Sequence, residues 1–204
     1  MNPLNSIKGT LIAGFVLAIV IALALNMGLG TVNWLTVVRW IHILAGITWI
    51  GLLYYFNFVQ TPGMAAAAAD KGGPGGAGVS KYIAPRALLW FRWSAALTWI
   101  MGVAYLGYRS NLGAFALGLE KSPVDTYELT IGVGAWLGTI MLFNVWVLIW
   151  PNQKKILGIV SASDEQKAKA RKIAALASRT NTMLSIPMLM CMASASHGLP
   201  FIHG

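Results

Sequence analysis

The stretch Val38-Arg39-Trp40-Ile41-His42-Ile43-Leu44-Ala45-Gly46-Ile47-Thr48-Trp49-Ile50-Gly51 decides how the chain is read. It opens an apolar run over about 34–59, longer than the roughly 20 residues a helix needs to cross hydrocarbon. A membrane-spanning helix is therefore expected here, with a histidine inside it. An ionisable residue in such a helix is by default a candidate functional residue. Ala45 and Gly46 follow three and four positions after His42, so they share its face. A bare face beside a histidine lets a flat macrocycle lie against the helix. Arg39, one turn earlier, could meet a carboxylate at the membrane edge. These residues suit a haem b site, and they equally suit a histidine hydrogen-bonded to a neighbouring helix.

The rest of the chain supports the membrane reading. Of 204 residues, 57% are hydrophobic and only 10% charged, with mean hydropathy +0.65. Soluble domains carry roughly a quarter charged residues. The apolar runs are continuous, whereas barrel strands alternate apolar and polar positions. The expected fold is all-α: one polytopic membrane helical bundle over 1–204, with about five transmembrane helices. Their expected bounds are about 9–29, 34–59, 87–107, 129–150 and 180–198. The net charge of +9 is expected to report cytoplasmic loops facing a lipid bilayer, and no nucleic-acid partner. Cys191 is the sole cysteine, so neither an intrachain disulfide nor a Cys-ligated iron–sulfur cluster can form within the chain.

Between these runs, residues 60–85 carry Thr61-Pro62-Gly63, five alanines and Gly72-Gly73-Pro74-Gly75-Gly76, and read as a flexible loop. Residues 108–127 read as a polar connection. Residues 163–178 read as a cytoplasmic amphipathic helix, opened by a Ser163/Gln166 capping box and followed by Lys167, Lys169, Arg171 and Lys172. No convincing internal repeat is visible.

Lys and Arg concentrate in the second and fourth loops, which sets the N-terminus inside and the C-terminus outside. His42 then lies in the outer half of its helix, roughly 12 Å deep at 1.5 Å per residue. His197 lies near the outer end of the last span. A haem standing on edge could bridge them, with Arg39 near its propionates. His203 is the competing ligand, and a methionine could also supply an axial bond.

Three motifs, in order, resemble the membrane domain of the cytochrome c-linked urate hydroxylase family (PuuD type). The first is Arg39–Gly51. The second is Lys81-Tyr82-Ile83-Ala84-Pro85-Arg86, with Trp90-Phe91-Arg92-Trp93 and Leu97-Thr98-Trp99. The third runs from Arg179 to Met190 and ends at His197. The resemblance covers roughly residues 35–200. It implies a haem-associated electron-transfer protein of a bacterial inner membrane, working with a periplasmic cytochrome c. Family members carry a larger membrane domain and a C-terminal cytochrome c domain. No Cys-x-x-Cys-His occurs here, so the c-type partner is expected to be a separate chain. Two further readings stand beside it: a non-catalytic subunit of a larger respiratory or oxidase complex, and a stand-alone urate-oxidising enzyme.

Other signals are weaker. Met183, Met188, Met190, Met192 and Cys191 offer soft sulfur for copper. Met190 and Met192, however, point about 200° apart on a helix, so haem is favoured over copper. Pro187 is expected to kink its helix. Glu128 could serve a proton or quinone site but is expected to be an interfacial carboxylate paired with Lys121 or Arg109, and Asn57 and Asn144 are expected to hydrogen-bond between helices. No Ser–His–Asp set, phosphate loop or paired carboxylates is present.

Overall fold

The computed structural model describes residues 2–25, 30–110 and 112–200, with Ser110 described by its backbone alone. The described residues are helical with no strand. By internal packing the chain divides into Met1–Trp34 and Leu35–Gly204.

The first unit carries α1 (Ile7–Leu25), which buries none of its residues. It is apolar on every side, the pattern of a helix surrounded by lipid or protein rather than one lying at a water boundary.

The second unit begins with α2 (Trp34–Tyr54) and continues through α3 (Thr61–Ala69), α4 (Ala84–Ser110), α5 (Thr126–Phe143), α6 (Trp150–Ile156) and α7 (Asp164–Ser194). Three segments in it, Tyr55–Gln60, Val79–Ile83 and Asn144–Ile149, are π-helical. Each ends two residues before a proline: Pro62, Pro85 and Pro151. A proline has no N–H, and its ring crowds the carbonyl four residues back. Widening the turn by one residue relieves this. Thr61, Ala84 and Trp150, each just before the proline, donate their N–H to the carbonyls of Phe56, Val79 and Val145.

Among the described residues, four continuous helices are long and apolar enough to cross a membrane: Ile7–Leu25, Trp34–Ala69, Val79–Arg109 and Thr126–Ile156. The first half of the expected 60–85 loop is helix instead, because five alanines favour helix and the wide turn accommodates Pro62. The expected surface helix 163–178 and the expected last span are one helix, α7. No Gly or Pro separates them, and Arg179 at the join is a good helix former. The Ser163 capping box is present, with Gln166 N–H on Ser163 Oγ at 3.2 Å and Ser163 N–H on Gln166 Oε1 at 2.9 Å. The helix also continues through Pro187.

The core gathers Trp49, Leu53, Phe91, Met141, Val145 and Met188 from α2, α4, α5, the π-helical segment after α5, and α7. Polar groups along α7 tie the bundle together. Asn144 Nδ2 donates to Asn181 Oδ1 at 2.8 Å, and Asn181 Nδ2 to the Met141 carbonyl at 2.9 Å. Asn57 Nδ2 donates to Ser178 Oγ at 2.8 Å, and Tyr54 Oη and Ser185 Oγ lie 2.9 Å apart. The interhelical role expected of both asparagines is thus observed. Trp49 Nε1 and Gln60 Oε1 are buried without a hydrogen-bond partner among the described residues.

With the helices aligned, a repeat missed in the bare sequence becomes visible. Trp-x-Gly-x4-Phe-Asn occurs at Trp49–Asn57 and again at Trp136–Asn144. Arg-x4-Leu-Thr/Ser-x2-Met occurs at Arg92–Met101 and again at Arg179–Met188. Trp49 is as far from Arg92 as Trp136 is from Arg179. In both copies the Phe-Asn pair falls at a π-helical turn followed by a proline. Helices α2 and α4 therefore repeat as α5 and α7. The identities are few and spread over two helices separated by unlike loops, which hides them in a linear reading.

Candidate functional site

His42 lies on α2, half-buried, and its Nδ1 is 2.7 Å from the Thr98 carbonyl on α4. A carbonyl only accepts, so Nδ1 carries the proton and donates. In the neutral ring Nε2 then keeps its lone pair, the arrangement that orients a metal-ligating histidine. No hydrogen bond to Nε2 is present among the described residues. Gly102, one turn beyond Thr98, makes room for the ring. A Cβ there would stand 3.0 Å from His42 Cε1 and 3.1 Å from Nδ1.

Of the two small residues beside His42, Gly46 faces α4. Ala45 is buried, and a Cβ on Gly46 would meet Thr98 Cγ2 at 3.7 Å. At Gly46 that face approaches Thr98 of α4. Arg39, one turn before His42, is exposed. His197 is exposed in the turn after α7, where its N–H donates to the Ser194 carbonyl at 3.0 Å. His203 lies outside the described residues. Among the described residues, no group of three or more His, Cys, Asp or Glu converges as for a metal ion. Haem ligation needs only one or two such side chains, and the His42 donor set fits an axial bond through Nε2.

Gly102 and the Thr98 carbonyl were not picked out from sequence. A backbone carbonyl leaves no residue signature. The one available hint was that Gly102 follows Thr98 by four positions and so shares its helix face.

A second polar cluster sits where α5 begins. Glu128 is buried, and its Oε1 meets Lys121 Nζ at 2.8 Å, as one of the two expected pairings. Asp125 Oδ2 meets the same ammonium at 3.0 Å, while its Oδ1 caps α5 by accepting Glu128 N–H at 3.0 Å. The other expected partner, Arg109, instead lies over the Tyr127 ring, 4.9 Å from its centroid. Hydrogen bonds to Glu128 and then Asp125 raise the Lys121 pKa. The Glu128 N–H, and after it Lys121, lower that of Asp125. The loop over this cluster fits closely. A Cβ on Gly113 would lie 3.0 Å from both Glu128 carboxylate oxygens, and Leu112 and Leu117 adopt left-handed φ of 66° and 59°. One ammonium thus bridges two carboxylates at the start of α5, and the cluster reads as a lock on the α4–α5 loop.

A family model described as urate oxidase N-terminal matches residues 125–204. The matched part comprises α5, α6, α7 and the stretch with His197, and contains the third motif but neither of the first two. No curated protein and no solved structure matches the chain. The match links the C-terminal part of this chain to the urate oxidases.

Proposed function

We propose that this chain is a haem b-binding, membrane-embedded electron-transfer protein of a urate-oxidising system. His42 would hold the iron through Nε2, with Arg39 toward the propionates and His197 or His203 as second ligand. Bound haem supplies a one-electron carrier. The observation that carries the reading is the His42 Nδ1–H bond to the Thr98 carbonyl, which fixes the tautomer and leaves Nε2 for a metal. The urate oxidase match supports the link to urate chemistry. The charge pattern supports an inner-membrane orientation with the N-terminus in and the C-terminus out, so that electrons pass to a separate periplasmic cytochrome c.

The test is a pyridine haemochrome assay on the purified chain. A stoichiometric haem b signal is expected, and His42→Ala should abolish it. An unchanged reduced spectrum in that variant overturns the assignment. The match also favours a stand-alone urate-oxidising enzyme, for which added urate should reduce the purified chain without a partner. The Thr98 bond is equally satisfied in a non-catalytic subunit of a larger complex. Haem-free protein bound stoichiometrically to a partner would establish that reading.

A further inference from the structure

We propose that the groove between α2 and the start of α4 holds one anionic phospholipid. The proposal rests on the membrane reading but not on haem. The groove has a volume of about 510 Å³ and is lined by Leu52, Tyr55, Tyr82, Ile83, Arg86 and Trp90 among others. Its walls are apolar and aromatic, and its rim is cationic. Arg86 donates one hydrogen bond, to the Tyr82 carbonyl at 2.6 Å. It meets no carboxylate among the described residues, which leaves its remaining donors for a phosphate. Lys81, five residues earlier, lies 5.3 Å from the centre of the Tyr82 ring that lines the groove, and likewise meets no carboxylate among the described residues. Two unneutralised cations above an apolar trough match a phosphate ester with acyl chains, and basic pockets between membrane helices bind such headgroups.

The internal repeat shows that the groove is not a general property of this helix pair. In the second copy, Ala170, Ala174 and Ala177 stand where Ile83, Ala87 and Trp90 stand in the first, and all three alanines are buried. There the seam is closed. In the first copy Tyr82 and Trp90 are exposed beside an open trough. The phosphate would rest on Arg86 and Lys81, and the chains along Leu52, Ile83 and Trp90.

The experiment uses the full chain extracted in a neutral detergent, with equimolar phosphatidylglycerol and phosphatidylcholine added and bound lipid read by native mass spectrometry. One phosphatidylglycerol per chain is expected, retained about thirty-fold over phosphatidylcholine, the scale that two basic residues supply. Arg86→Gln with Lys81→Gln should remove the preference, and Lys169→Gln with Lys172→Gln on α7 should keep it. Arg86→Lys, which keeps the charge, should retain partial preference and guards against a folding defect in the double variant. Equal retention of both lipids overturns the proposal. So does a preference that survives the Arg86/Lys81 change or is lost with the α7 change. Displacement of the lipid by millimolar inorganic phosphate would mark a phosphate site and overturn it too. If the chain leaves the membrane without detergent, the membrane reading itself fails. A detergent-dependent chain without lipid preference fails the groove alone.

Discussion

At the residue scale, His42 and Gly102 behave as one device. The imidazole is held by a carbonyl that no substitution removes, and its space depends on the missing side chain of Gly102. Gly102→Ala places a methyl about 3 Å from the ring. Overpacking of this kind costs about 1–3 kcal/mol. The expected outcome is a lower thermal midpoint in detergent together with reduced haem content; unchanged values for both would refute the packing argument. Asn181 is the other decisive residue. It is fully buried and satisfies both Asn144 and the Met141 carbonyl. Asn181→Leu leaves two partners unmet inside the bundle, and interhelical hydrogen bonds of this kind are worth about 0.6 to 2 kcal/mol each. Stability should fall by roughly that much in a denaturant titration in micelles, without altering the haem spectrum. A haem change would place Asn181 in the site.

At the element scale, the wide turns are set by prolines and used by asparagines. Asn144 opens the π segment that precedes Pro151 and reaches α7 from there. Alanine is the better helix former by about 3 kcal/mol, so propensity alone predicts that Pro151→Ala stabilises the chain. The structure predicts the opposite sign: an ordinary turn would shift α5 relative to α6 and strain the Asn144–Asn181 bond. A melting temperature below that of the parent is expected, and a rise would reverse this account. The start of α5 is sensitive to pH. The Asp125 pKa is lowered in the folded chain, so its contribution is complete above about pH 4 and fades as pH falls through the folded value. The Lys121 pKa is raised, so its contribution is complete below about pH 10 and fades as pH rises through the folded value. Amide exchange in the first turn of α5 should quicken at both extremes. In Asp125→Ala it should be fast at neutral pH as well, since the cap itself is gone.

At the scale of the whole molecule, two copies of one helix pair have diverged. The second copy closed its seam with alanines, and the first kept bulky aromatics and an open groove. The histidine belongs to the first copy alone: the position equivalent to His42 in the second is Leu129. The candidate site therefore lies in one copy of the repeat alone. Alkaline carbonate washing should leave the chain in the membrane fraction, given four helices of sufficient length and apolarity. Release into the wash would refute the membrane reading.

Helical class and the approximate place of the long apolar helices followed from composition and run length, because burial in an apolar medium demands continuous hydrophobic stretches whatever the partner. The Ser163 cap and the interhelical asparagines followed likewise, because they depend on local spacing or on polarity alone. Tertiary structure decided the rest. Whether Pro62 ends a helix or is accommodated in it depends on a widened turn, and Gly46 lies near Thr98 because α4 approaches it there. The partner of His42 is a backbone carbonyl 56 residues away, and a carbonyl is common to every residue type, so only the packed bundle could identify it.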